Sequence, residues 1–252
     1  MKDLDLLRLY FGDDHIINDR IVIRQPTIGE IVEYGEQEYF SMVHMITSIS
    51  SDFKPELADM GLDYEKISDL EMFYIATRSI GVNQTRILFG ELDFSKLKMY
   101  EQPNGDLLLY DEESELKIDF YVHAKMMQYV TRLHGITKTP EFAANQGTKD
   151  FMIEDDRLRK ARNAKKPYES MMLPLISAMV NSPGFKYNLN QVRNMKMFEF
   201  FDSVKRIGVI QSSQALLQGG YSGMADLSKV PKESFDWTRD IYKPTPPKQI
   251  VS

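Results

Sequence analysis

Near neutral pH, acid–base or metal chemistry would fall first to the four histidines, His15, His44, His123 and His134. None has a second ligand at metal spacing, and the chain contains no HExxH pattern. A lone histidine on a helix, such as His123, reads as a structural or surface residue. The chain has no cysteine, which excludes disulfides, thiolate metal sites and cysteine nucleophiles. Neither GxxxxGK[ST] nor GxGxxG occurs, and Gly219, Gly220 and Gly223 lack the preceding strand and following helix of a dinucleotide loop. Three acidic groups remain as magnesium or general-acid candidates: Asp13–Asp14, Asp155–Asp156 and Asp111-Glu112-Glu113. Adjacent helical residues point about 100° apart, so Asp155 and Asp156 are poorly placed to share one ion. The 111–113 run falls in a predicted turn and reads as a solvated loop. The expectation is a protein without catalytic residues, metal or cofactor, and not an enzyme.

The next chemistry is electrostatic. Arg157, Arg159, Lys160, Arg162, Lys165 and Lys166 crowd into one short basic stretch. A nucleic-acid reading predicts phosphate contacts and steep salt dependence. Against it, Asp150, Glu154, Asp155 and Asp156 precede the cluster, and no aromatic interleaves with it to stack bases. A solvated or acid-docking helix is the favoured reading, and acids first with bases last also suit the helix dipole. The whole chain is split in the same sense. Residues 1–120 hold 11 Lys and Arg against 25 Asp and Glu, and residues 121–252 hold 20 against 12. Attraction between the halves inside one fold is the plainest reading; head-to-tail self-association and separate partners are the others.

These residues must be positioned by a mainly α (α+β) fold, a multi-helix domain with a short N-terminal strand and an inserted β-hairpin. Residues 16–24 read as the strand. Thr27–Glu30 and Ser68–Glu71 are capping boxes that open helices. The helix after Gly35 carries Tyr39, Val43, Ile46 and Ser50 on one side, with Met42 and Met45 as a soft, adaptable surface. Asn104-Gly105 between strand-like runs marks the hairpin, and a third strand fits Glu115 to Ile118. Helices then follow over 119–133, from Thr148 to about 164, and over 171–180. The segments are 1–95, an acidic helical unit with the entry strand; 96–118, the hairpin; 119–242, a C-terminal helical unit; and 243–252, an extended proline-rich tail. No basic-then-apolar leader and no apolar run of membrane-spanning length is present, so the expectation is a soluble, unexported protein with no membrane partner.

The stretch 184–237 is the densest in aromatics and closes on Trp237. Asn190 is placed to cap a helix from Gln191, with Met197, Phe200, Phe201, Val204 and Ile207 as its core stripe. Met195 and Phe198 fall on the other side, beside Asp202 and Arg206, an i,i+4 pair in the favourable order. These four, with Tyr221 after the helix and Trp237 in a coda that packs back, are the candidate partner-binding residues.

The order KYNLNQV, EFFDSVKRI, GGYSGMADLSKV and FDW resembles proteins encoded among tail-morphogenesis genes of phages infecting Gram-positive hosts. The opening IVIRQPTIGEI followed by SDLEMFYIATRS is similar to tail-assembly chaperones and baseplate-assembly proteins of long-tailed phages. The matching positions are Ile23, Arg24, Pro26, Thr27 and Glu30, then Asp69 and Arg78. The resemblance implies a non-enzymatic chaperone for tape-measure or tube subunits in the host cytoplasm. The hairpin and large C-terminal half exceed the smaller chaperones' pattern and leave open a permanent tail or baseplate subunit of the virion. A phage nucleic-acid-binding protein using the 157–166 helix is the remaining alternative.

Overall fold

Side-chain caps decide where most helices begin in the computed structural model, which describes residues 4–223 and 226–242. Asp5 accepts from the Leu7 and Arg8 amides and opens α1 (Leu6–Phe11). The single strand expected over 16–24 is instead a tiny hairpin of β1 (His15–Ile16) and β2 (Val22–Ile23). Asn18 Oδ1 takes the Arg20 and Ile21 amides and reverses the chain between them. The Thr27–Glu30 box opens α2 (Ile28–Tyr34), with both reciprocal hydrogen bonds present. In α3 (Glu36–Ile46), Tyr39, Met42, Val43 and Ile46 are buried, so Met42 is core rather than surface. Then come α4 (Lys54–Asp59), α5 (Asp69–Thr77), opened by the Ser68–Glu71 box, and α6 (Val82–Phe89).

The inserted sheet is an antiparallel meander of β3 (Lys98–Glu101), β4 (Leu107–Asp111) and β5 (Leu116–Ile118). Its turn differs from a two-residue Asn-Gly turn with two positive φ angles, since only Gly105 has one, at 85°. Pro103 favours the first corner of a type I turn, and Gly105 then supplies the left-handed residue. The Gly105 amide donates to Gln102 O at 2.8 Å, and Gln102 N donates to Asp106 O at 2.8 Å.

Asp119 caps α7 (Phe120–His134) and Gly135 ends it in the left-handed region. The next helix, α8 (Gln146–Asn163), is capped by Asn145 rather than Thr148, whose own amide is the donor. The start of α9 (Met172–Val180) is held from a distance: Glu36 on α3 accepts from the Met171 and Met172 amides, each at 2.8 Å.

The long aromatic helix is interrupted. Asn188, not Asn190, caps α10 (Leu189–Asn194), and α11 (Met197–Tyr221) begins only after an extended step. There the chain pairs with the entry to α2: Ile28 N donates to Met195 O, and Met197 N donates to Pro26 O, both at 3.0 Å. Gly219 and Gly220 remain helical, and the left-handed residue that follows is Gly223. The proposed tail, 243–252, lies outside the described residues.

All three segments feed one apolar cluster, in which Ile23, Ile31 and Tyr39 meet Leu109 and Ile118 of the meander and Val130 and Phe200 of the C-terminal helices. A smaller cluster of Leu57, Tyr64, Met72 and Ala76 receives Ile153 from α8. The fold is mainly α, with two small antiparallel sheets, and no helix among the described residues is long and apolar enough to cross a membrane.

Gly29 is where α2 meets α10. A Cβ there would lie 2.9 Å from the Arg193 carbonyl oxygen, a backbone atom that cannot swing aside. Helix propensity alone favours Gly29→Ala by about 1 kcal/mol. Overpacking outweighs it, so the variant is expected to lose about 1–3 kcal/mol in urea unfolding; a stabilised variant would show that this approach is not tight.

Candidate partner-binding surface

The basic stretch lies along and just beyond α8, and α8 lies on α4, so two of its six cations, Arg157 and Lys160, meet acids of the N-terminal half. Arg157 grips Asp59 through both terminal nitrogens at 3.0 and 2.7 Å. Lys160 reaches Glu56 at 2.6 Å and the Asp52 carbonyl at 2.9 Å. Arg159 bonds Asp156 at 2.5 Å, and Arg162 Nε caps the Leu158 carbonyl at 3.3 Å. Lys165 and Lys166 are exposed and form no ion pair among the described residues. Beneath this ladder sits Lys54, whose side chain is only 2% exposed. It meets Asp156 at 2.8 Å, Glu141 at 2.6 Å and the Ser51 carbonyl at 2.9 Å. Burial pulls its pKa down, but hydrogen bonds to Asp156 and Glu141 outweigh that and hold it above the ordinary lysine value. The charge split between the halves is expressed here as intramolecular docking.

Asp156 and the 111–113 run have structural partners. Asp156 is taken up by Lys54 and Arg159. Asp111 is buried rather than solvated and accepts from Ser114 Oγ at 2.5 Å and Glu113 N at 3.1 Å, the first of which holds its pKa low. Asp13 and Asp14 border a recess of about 630 Å³ with Arg8, Lys125 and His15, whose ring stacks on Tyr129 at 4.5 Å. Among the described residues no three His, Asp or Glu side chains converge as a metal site.

Met195 and Phe198 do not face outward: they are 4% and 3% exposed. The break before Met197 resets the helical phase, so a face counted from Gln191 no longer applies beyond it. Phe198 N donates to Gln25 Oε1 in the chain's N-terminal part at 3.0 Å, and its ring stacks on Tyr242. The expected Asp202–Arg206 pair does not form. Asp202 is buried and accepts from the Tyr242 hydroxyl at 2.8 Å. Arg206 donates instead to the Trp237 and Arg239 carbonyls at 2.8 and 2.9 Å. Together these two residues clamp the C-terminal coda, which is also held by Ser213 Oγ donating to Ser234 O at 3.0 Å. The Trp237 and Tyr221 side chains are exposed, but Tyr221 lies fifteen residues beyond Arg206 on the same helix. At 1.5 Å per residue that is roughly 22 Å away, so the six residues do not form one patch.

Sequence reading missed a different surface. Phe120 and Tyr121, at the first turn of α7, are 62% and 71% exposed. Both border a recess of about 480 Å³ against Ser68, Leu70 and the meander turn at Asn104–Leu107. Phe120 also borders a second recess of about 350 Å³. Adjacency was no usable signal, because successive helical residues such as Ile87, Leu88 and Phe89 are all buried in one core. The positions that carry the phage resemblance, by contrast, hold the fold together. Ile23 is fully buried, Arg24 pairs with Glu30 at 3.2 Å, and Thr27 and Glu30 form the α2 cap.

No protein-family model, curated protein or solved structure matches this chain. The exposed Phe120–Tyr121 pair, with Phe120 bordering both recesses, departs from an ordinary solvated face, because contiguous apolar exposure with neighbouring concavities is how binding sites for protein segments are built.

Proposed function

We propose that this chain is a non-enzymatic bacteriophage protein that acts in tail or baseplate assembly by binding tape-measure or tube subunits before they polymerise. The observation that carries the protein-binding part is the exposed Phe120–Tyr121 pair with its flanking recesses. Aromatic anchors beside pockets are the groups that dominate protein interfaces. The phage context rests on the sequence resemblance at positions 23–30, 69–78 and 184–237. A nucleic-acid role is less well supported, because Arg157, Arg159 and Lys160 already face carboxylates of the same chain.

The test is capture from infected lysate. The chain is expected to retain tape-measure or tube protein and to be absent from purified particles. Phe120→Ala/Tyr121→Ala should weaken capture by roughly 30-fold or more, as two interface anchors worth about 1 kcal/mol or more each would, with an unchanged thermal midpoint. Capture of neither subunit would end the chaperone reading. Stoichiometric presence in particles would replace it with a permanent tail or baseplate subunit.

A further inference from the structure

The second recess beside Phe120 is mainly apolar, with an imidazole in its wall. Its apolar walls are Ile49, Phe120, Ala124, Met127 and Pro140, and His123 lies among them. His123 is 5% exposed, packs against Phe73 with ring centroids 5.1 Å apart, and its imidazole makes no hydrogen bond. Among the described residues the fully enclosed, unpartnered side-chain atoms are Tyr64 Oη, Arg132 Nε and Ser182 Oγ, so the His123 ring nitrogens are not fully enclosed. Because His123 lines the recess, that is the space they face. A buried polar group left without a partner is rare, and one that opens onto a recess calls for a ligand or water there.

The remaining polar atoms narrow the ligand. Thr47 Oγ1 spends its proton on the Val43 carbonyl at 2.8 Å, Ser48 Oγ on His44 O at 2.5 Å, and Thr131 Oγ1 on Met127 O at 2.5 Å. Their oxygens can still accept but no longer donate. The one cation at the rim, Lys138, is held by Asp52 at 2.6 Å, and Asp69 adds a carboxylate. An anion finds no free partner here. What fits is a neutral group with an apolar body and a hydroxyl tip that can donate and accept, in a space of about 350 Å³. That volume is at the small end of the roughly 300–1,000 Å³ typical of ligand sites.

We propose that the His123 recess receives a tyrosine side chain from a partner polypeptide, with the ring between Phe120 and Met127 and the hydroxyl bonded to the His123 imidazole. This rests on the protein-binding reading above and adds the chemistry of the anchor. Phe120 on the lip links the recess to the exposed aromatic face, so one bound segment can engage both.

p-Cresol and toluene, which differ by that hydroxyl, test this in the full-length chain by NMR. p-Cresol is expected to move the His123 ring resonances saturably and to bind about tenfold more tightly than toluene, the effect of one neutral hydrogen bond. His123→Phe should bring p-cresol down to the toluene level, and Ala124→Leu, which fills the recess from a half-exposed wall, should abolish both. Equal binding of the two probes, or a p-cresol response that leaves His123 unmoved, overturns the inference. Because no partner protein is present, that outcome leaves the assembly reading intact, whereas failed lysate capture with intact p-cresol binding would count against the assembly reading alone.

Discussion

Lys54→Met is expected to destabilise the protein by about 3–5 kcal/mol, the largest effect of any single surface-distant substitution in the α4–α8 region. Lys54 is the hub on which α8 rests, and Asp156, its nearest buried partner, is only 7% exposed on its side chain. With the ammonium removed, Asp156 keeps Arg159 on its outer oxygen but loses the cation on its inner one. A buried carboxylate that loses one of its two cations is costly because little water can replace the lost partner. Urea unfolding measures the loss. Lys54→Met/Asp156→Leu should recover most of it, since replacing both members of a buried pair by apolar groups is close to neutral. If the single variant loses under about 1 kcal/mol, the pair behaves as an exposed salt bridge and α8 is held by other contacts.

The second large effect is acid sensitivity beginning well above the carboxylate range. Burial pushes His123 and His134 from about 6.5 down to about 4. At His134 burial outweighs the hydrogen bond to the Val130 carbonyl, which favours the charged form. Its Nδ1 faces the Val130 carbonyl at 2.7 Å and so carries the proton, leaving Nε2 to accept from the Tyr39 hydroxyl at 2.7 Å. A proton on Nε2 would place a charged imidazolium inside the core, away from water. Between pH 6.5 and 4 the unfolded chain therefore binds more protons than the folded one, and stability falls as pH falls through that window. Each histidine contributes a slope approaching 1.4 kcal/mol per pH unit, reaching about 3 kcal/mol by pH 4. His15 and His44, also lowered by burial, act in the same direction. Glu30 and Glu36, lowered by their hydrogen bonds against the opposing effect of burial, lose their contributions only at lower pH. Urea midpoints from pH 7 to 5 should thus fall steeply, and His123→Phe should flatten the curve by about one proton's share. A level profile over that range would show that the fold does not hold these imidazoles neutral.

How much of this was legible in the sequence depended on the range of the interaction. The Thr27–Glu30 and Ser68–Glu71 boxes stand as read, because each is closed by atoms three residues apart. The meander was visible for the same reason. The caps at Asn145 and Asn188 were missed by two or three positions, since several neighbouring side chains could serve and packing chose among them. The Met195–Phe198 face was lost because a helix expected to run on is broken at Lys196 by pairing with Thr27, about 170 residues earlier. His123 could not be distinguished from an ordinary core histidine, because its missing partner is a property of the elements packed around it.

The sequence by itself determined a mainly helical chain without cysteine, the capping boxes, the strand-turn-strand insertion and the opposite charge of its halves. Such features follow from residue type and near-neighbour spacing, which the chain carries into any tertiary arrangement. Only the tertiary structure decided where those charges go, by laying α8 on α4 and burying Lys54 between them. It also decided that Phe198 is core while Phe120 and Tyr121 are exposed, and that His123 opens onto a recess. Burial and partnership are set by contacts between residues far apart in sequence, and local periodicity does not encode which faces those contacts cover.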